Sequence, residues 1–206
     1  NVMNSFNRMH KTINQYLLDC YQNIDIYANY TIKITSRYNK FKEIYTEFPD
    51  HERYFNLLTK YLNNYREIQL GKIGIIHGDP VLTNILINNL NKLKFIDMRG
   101  ELDGVLTIFG DCFYDWAKLY QSLIGYDEIL HNTELNSEYK RKIISFYEIK
   151  FVSLFDDKQL EYLKIITASL LFSLIPLHYN NKEKCQKYYS LMRNIVDNFI
   201  LSYSPV

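Results

Sequence analysis

Apolar residues recur at intervals of three and four over Phe6, Met9, Ile13, Tyr16, Leu17 and Cys20, which predicts a helix with one buried face. Pro49-Asp50 supplies a stop and an N-cap. The stripe Tyr54, Leu57, Leu58, Tyr61 and Leu62 then predicts a second helix. The pattern changes at Ile73. Ile73, Ile75 and Ile76, then Ile85 to Ile87, then Leu93 to Ile96 are short runs rich in β-branched residues and split by turn chemistry, so they predict small strands. The polar turn Asn88 to Asn91 predicts that 85–87 and 93–96 form a hairpin. After Gly110 the helical period returns, with helices expected near 113–124, 138–154, 157–176 and 183–202, the third ended by Pro176. The expectation is one α+β unit over 1–206, mostly helical, with a small central β hairpin. Residues 1–72 are helical, 73–112 hold loops and short strands, and 113–206 are helical.

Composition narrows the class. With 24 Lys and Arg against 23 Asp and Glu the net charge is +1, so no whole-protein pull on nucleic acid is expected. The longest apolar stretch, Ala168 to Leu177, is far shorter than the ~20 residues of a membrane helix, and membrane insertion is not expected. Cys20, Cys112 and Cys185 are widely spaced with no CxxC pair, which speaks against a zinc site or a disulfide scaffold and for a cytoplasmic setting. No linker and no internal repeat divides the chain. It opens on Asn1 rather than Met, as a piece of a longer protein would.

Chemistry-bearing residues gather at the β island. In His77-Gly78-Asp79-Pro80 the proline pushes Asp79 toward an extended backbone, and Gly78 leaves the turn uncrowded. Asn84 stands just before a strand, and Asp97 at the exit of Leu93 to Ile96. If the strands pair, two carboxylates and an amide oxygen converge. That is a hard-oxygen set suited to Mg²⁺ with room for phosphates, and less suited to zinc.

These residues carry a resemblance. His77 to Asn84 fits H-x-D-x-x-x-x-N, and the form with glycine after histidine resembles the aminoglycoside phosphotransferase and choline kinase branch of the protein-kinase-like phosphotransferases. Ile96-Asp97 resembles the family's metal-binding Asp. Tyr114-Asp115-Trp116-Ala117-Lys118 is similar to its later (F/Y)-D-(L/I)-A signature. The motif region covers about a fifth of the chain. The resemblance implies the large C-terminal lobe of that fold and ATP-dependent phosphoryl transfer to a small-molecule hydroxyl: a sugar, an aminoalcohol such as choline, or an aminoglycoside-like acceptor. Asp79 would be the catalytic base, and Asn84 and Asp97 would hold Mg²⁺ on the nucleotide. His77 and Asp115 would support the loop, and Arg99 is a candidate for phosphate or substrate contact. IDMRG at 96–100, followed by GDCFYDWAKLYQSL, has a weaker likeness to kinase-like proteins found with bacterial capsule and surface-sugar genes.

Three departures bear on this expectation. Pro80 replaces an aliphatic residue, and Asp97-Met98-Arg99-Gly100 delays the glycine by one position. No glycine-rich loop with a strand lysine precedes His77, so an ATP-binding small lobe is expected upstream in the complete protein. That puts independent activity of this piece in question. The alternative reading is a kinase-like binding or regulatory module without catalysis.

Each residue also has an ordinary structural explanation. Asp79 suits a surface turn, Asn84 a strand start, Asp111 a helix N-cap, and Arg99 an ion pair with Glu101 or Asp103. Trp116, on a helix stripe with Leu119 and Tyr120, reads as core rather than as a cage for a quaternary ammonium. His178 reads as a helix C-cap. Tyr120, Gln121, Tyr126 and Asp127 are candidates for the acceptor pocket. Glu101, Asp103, Asp127 and Glu128 could attract a cationic acceptor or form a solvated face.

Overall fold

The computed structural model describes residues 2–11 and 24–203. Helix α1 covers Val2–Lys11, and the rest of the first expected helix, with Ile13, Tyr16, Leu17 and Cys20, lies outside the described residues. Helices α2 (Thr31–Lys40), α3 (Lys42–Tyr45) and α4 (His51–Glu67) follow. Strands β1 (Ile73–Ile75), β2 (Ile85–Ile87), β3 (Leu93–Phe95), β4 (Glu101–Leu102), β5 (Val105–Leu106) and β6 (Phe109–Asp111) form the middle of the chain. The remainder is α5 (Cys112–Gln121), α6 (Asp127–His131), α7 (Ser137–Leu154), α8 (Asp157–Leu174) and α9 (Lys182–Tyr203). The class is thus α+β, mostly helical, with small antiparallel pairs.

Helix α8 is the hub of the core. Leu163, Ile165, Ile166, Ala168, Leu171 and Phe172 are all fully buried, and α2, α4, α5, α7 and α9 pack around it. By length and mean hydropathy (1.6 over Asp157–Leu177) this segment reaches what a membrane crossing needs, but 78% of it is buried inside the fold, as in a core helix. The 19 tyrosines find their use here. Tyr30, Tyr45, Tyr54, Tyr65, Tyr114 and Tyr147 are among the largest fully buried side chains. Their rings supply apolar area and their hydroxyls are anchored, as with Tyr45 on the Phe172 carbonyl (3.0 Å) and Tyr147 on that of Trp116 (2.7 Å).

The expected hairpin β2–β3 forms, with Ile85 opposite Phe95. Two further pairs were not anticipated. The tight β4–β5 hairpin carries the exposed Val105 and Leu106. Strand β1 pairs antiparallel with β6, Ile73 opposite Asp111 and Ile75 opposite Phe109. This second pairing positions the site. It sets the start of α5 beside the start of β1, and α5 then folds back along β1 toward the loop at His77. The expected helix 113–124 is shorter than its pattern suggested. Regular helix stops at Gln121, a π-helical turn spans Ser122–Tyr126, and Gly125 takes φ 138° before α6 begins.

Candidate active site

Asp111, Tyr114, Asp115 and Lys118 stand at i, i+3, i+4 and i+7, one polar stripe on an otherwise apolar helix. Asp111 caps α5. Its buried carboxylate accepts the Phe113 N–H (3.1 Å) and the Lys72 N–H (2.9 Å), and also the hydroxyls of Tyr30 (2.6 Å) and Tyr65 (2.7 Å). Burial pushes its carboxyl up, and these four donors act in the opposite direction.

One turn on, the fully buried Asp115 accepts the backbone N–H groups of His77 (2.7 Å) and Gly78 (2.8 Å). His10 Nε2 lies 3.1 Å from the same carboxylate. Charge-assisted bonds to two consecutive amides fix the loop's backbone from behind. Gly78 meets this geometry because it can take φ 82°, and because a Cβ there would lie 2.7 Å from Cβ of Arg99.

The loop then closes on itself. Asn84, at the end of a single 3₁₀ turn (Leu82–Asn84), donates its Nδ2 to the Asp79 carbonyl at 2.9 Å. The Asn84 carbonyl accepts the Ile96 N–H (3.0 Å), and the His77 carbonyl accepts the Arg99 N–H (2.9 Å). Backbone bonds therefore draw the loop at 77–84 against the segment 96–99. Asp97 between them is exposed, with a left-handed φ of 56°. With Asn84 Nδ2 donating to Asp79, its Oδ1 is the side-chain atom that could accept from another group. Asn84 Oδ1 and the Asp97 carboxylate are hard oxygen donors of the kind Mg²⁺ takes, and among the described residues no cluster of three or more His, Cys, Asp or Glu side chains offers a further metal site. His77 is buried beside the Phe95 ring, and its Nδ1 accepts the Asp79 N–H at 3.3 Å.

The Asp79 carboxylate is half-buried and pairs with Lys118, Oδ1 to Nζ 3.0 Å. Lys118 also faces the buried Tyr114 hydroxyl, which accepts from Lys33 (3.0 Å) and Arg99 (3.1 Å). Burial alone would push this phenol up. Lys33, Lys118 and Arg99 outweigh burial and bring it down to about 7. Arg99 thus pairs with neither Glu101 nor Asp103 by a direct salt bridge. It stacks over the Tyr114 ring and reaches Asn29 at 3.5 Å. Beside this cluster lies a cavity of about 520 Å³, whose lining includes Lys33, Arg37, Lys40, Arg99, Glu101 and Asp103.

Other candidate residues are placed elsewhere. Trp116 is core, edge-on to Phe6 and Phe151. Tyr120 bonds Glu148 at 2.6 Å, and Glu128 pairs with Lys140. His178 ends the 3₁₀ turn Ile175–Leu177, its ring 5.3 Å from that of Tyr188. Sequence reasoning missed His10, Lys33, and the parts played by Tyr114 and Lys118. The stripe on α5 held a signal for the last two; His10 and Lys33 are too far away in the chain to leave one. In comparisons with family models, with curated proteins and with solved structures, nothing matches this chain.

Proposed function

We propose that this chain is the larger lobe of an ATP-dependent phosphotransferase that acts on a hydroxyl of a small molecule. The observation that carries the reading is the self-closed loop at 77–84. Asp115 holds His77 and Gly78, Asn84 holds the Asp79 carbonyl, and the Asp79 carboxylate remains half-exposed beside a cation. A carboxylate on so fixed a backbone can orient an alcohol and take its proton. The acceptor oxygen would bond to the γ-phosphorus as the bond from that phosphorus to the ADP oxygen breaks, and the hydroxyl proton would pass to Asp79. Lys118 would offset negative charge on the moving phosphoryl group. Asn84 and Asp97 would hold Mg²⁺, which when bound neutralises the nucleotide phosphates.

The test is ADP release by the complete gene product, its expected upstream ATP-binding lobe included. It would be given Mg·ATP and a panel of choline, ethanolamine, sugars and an aminoglycoside. Acceptor-dependent release that falls by roughly 10²–10⁴ in Asp79→Asn, on an unchanged fold, is the expected result. Asp97→Asn is expected to lose Mg²⁺-dependent nucleotide affinity. The Lys118–Asp79 pair favours a second reading, a kinase-like module without catalysis, because the carboxylate already has a partner. Absence of both ADP release and Mg·ATP binding would select that module.

A further inference from the structure

The cationic cavity beside Tyr114 has a chemistry that the phosphotransferase reading leaves unused. Helix α2 presents Lys33, Arg37 and Lys40 at i, i+4 and i+7, one face of the helix, and Arg99 joins them from the loop after Asp97. Like charges at this spacing repel. Among the described residues none of the four forms a salt bridge with a carboxylate. Arg37 donates to the Ser173 carbonyl (2.8 Å), and Lys33 and Arg99 donate to the Tyr114 hydroxyl. The lining also holds Glu101 and Asp103, so two positive charges remain in excess. Asn29 and Ser36 add neutral polar groups.

Such an arrangement costs stability unless something balances it. Lys33 shows the strain, since burial pushes its ammonium toward the neutral form. The group in direct contact with Lys33 and Arg99 is a phenol, a weak acid, while Glu101 and Asp79 act on Arg99 without a direct ion pair. Two lysines and two arginines around one concavity match a phosphate dianion. Arginine offers paired donors and lysine a point charge. The cavity meets the Asp79 loop through Arg99, which lines it, packs its side chain against Gly78 and feels the Asp79 charge.

We infer that the cavity lined by Lys33, Arg37, Lys40 and Arg99 binds a phosphate monoester carried by the acceptor alcohol, so that the substrate is a phosphorylated polyol or sugar rather than a cationic amine. This rests on the phosphotransferase reading for the word acceptor; the anion site itself stands on the four cations.

Binding calorimetry on this chain is the first test, with glucose 6-phosphate, glucose, inorganic phosphate and Mg·ADP as probes. The expected result is salt-sensitive binding of the sugar phosphate, no binding of glucose, and no competition from Mg·ADP. The exposed Lys40→Ala should weaken the sugar phosphate by roughly 10-fold with unchanged melting, and Arg99→Met should weaken it by a similar factor. Equal behaviour of glucose and its phosphate, or full affinity in both cation variants, would overturn the inference. Displacement by Mg·ADP would also overturn it, because the cations would then belong to the nucleotide. The complete protein separates the two readings. Turnover confined to uncharged or cationic alcohols leaves a phosphotransferase and removes the phosphate site. Sugar-phosphate binding without any turnover keeps the anion site and removes the phosphotransferase.

Discussion

Lys118 Nζ lies 3.0 Å from Asp79 Oδ1, joining the helix after β6 to the loop after β1. Both groups are drawn from motifs that the sequence displays separately, and only the fold makes them a pair. The same lysine faces Tyr114, so its removal has two readouts. In Lys118→Met the Tyr114 phenol should titrate higher, because one of the three cations that hold it down is gone. Turnover of the complete protein should fall by roughly 10²-fold, the scale of a lost electrostatic contact at a reacting group. An unmoved tyrosine titration would show that Lys118 does not act on this cluster in solution.

Tyr114 should be visible as an early tyrosine titration. Its phenol is lowered from 10.0 to about 7 in the folded chain. The folded state therefore releases this proton before the unfolded state does. Stability should rise with pH between about 7 and about 10, and that increment should be lost as pH falls through 7. Near-ultraviolet tyrosinate absorbance reports the titration, and urea melts at about pH 6 and about pH 9 report the linkage. Tyr114→Phe should remove both. If wild type and Tyr114→Phe share one pH profile, the assignment is wrong.

Asp115→Asn replaces an acceptor of two amide bonds with a group that must turn its NH₂ toward a donor. The expected cost is about 2–4 kcal/mol. Hydrogen exchange should quicken at the His77 and Gly78 amides before it does in the α8 core. Retained protection at those two amides would remove Asp115 from its supporting role.

Gly78→Ala tests the loop from its other side. The left-handed φ of 82° and the approach to Arg99 both oppose a Cβ, so a loss of about 1–3 kcal/mol is expected. Arg99 should shift with it, and Tyr114 should titrate higher as its guanidinium partner moves away. Urea unfolding with tyrosinate absorbance on the same samples checks both; wild-type behaviour in each would mean that the loop gives way freely.

How far the sequence was legible follows from how local each feature is. The stop at Pro49 and the stripe after it marked α4, and the polar turn Asn88 to Asn91 marked the β2–β3 hairpin, because turns and periods act over a few residues. The expected cap does not form, since Asp50 takes a left-handed φ of 58° and its side chain accepts no helix N–H. Helix α2 went unread even though Tyr30, Ile34 and Tyr38 recur at four. Thr31, Ile32, Ile34 and Thr35 are β-branched, and burial of one face outweighs their weak propensity. The break at Ser122–Tyr126 was hidden because the apolar pattern runs on through it.

The sequence by itself determined the chemistry on offer: the H-x-D-x-x-x-x-N run, a second acid at a strand exit, a mostly helical α+β chain and a near-neutral charge. Tertiary structure decided what these groups face. Pairing Ile73 with Asp111 turns α5 back along β1 and puts Asp115 under His77 and Gly78. Packing of α2 against the core brings Lys33 to Tyr114 across 81 positions of chain. A salt bridge or a depressed phenol depends on distances of a few ångströms and on exclusion of water. Those quantities are set by packing between distant segments, so no pattern along the chain records them.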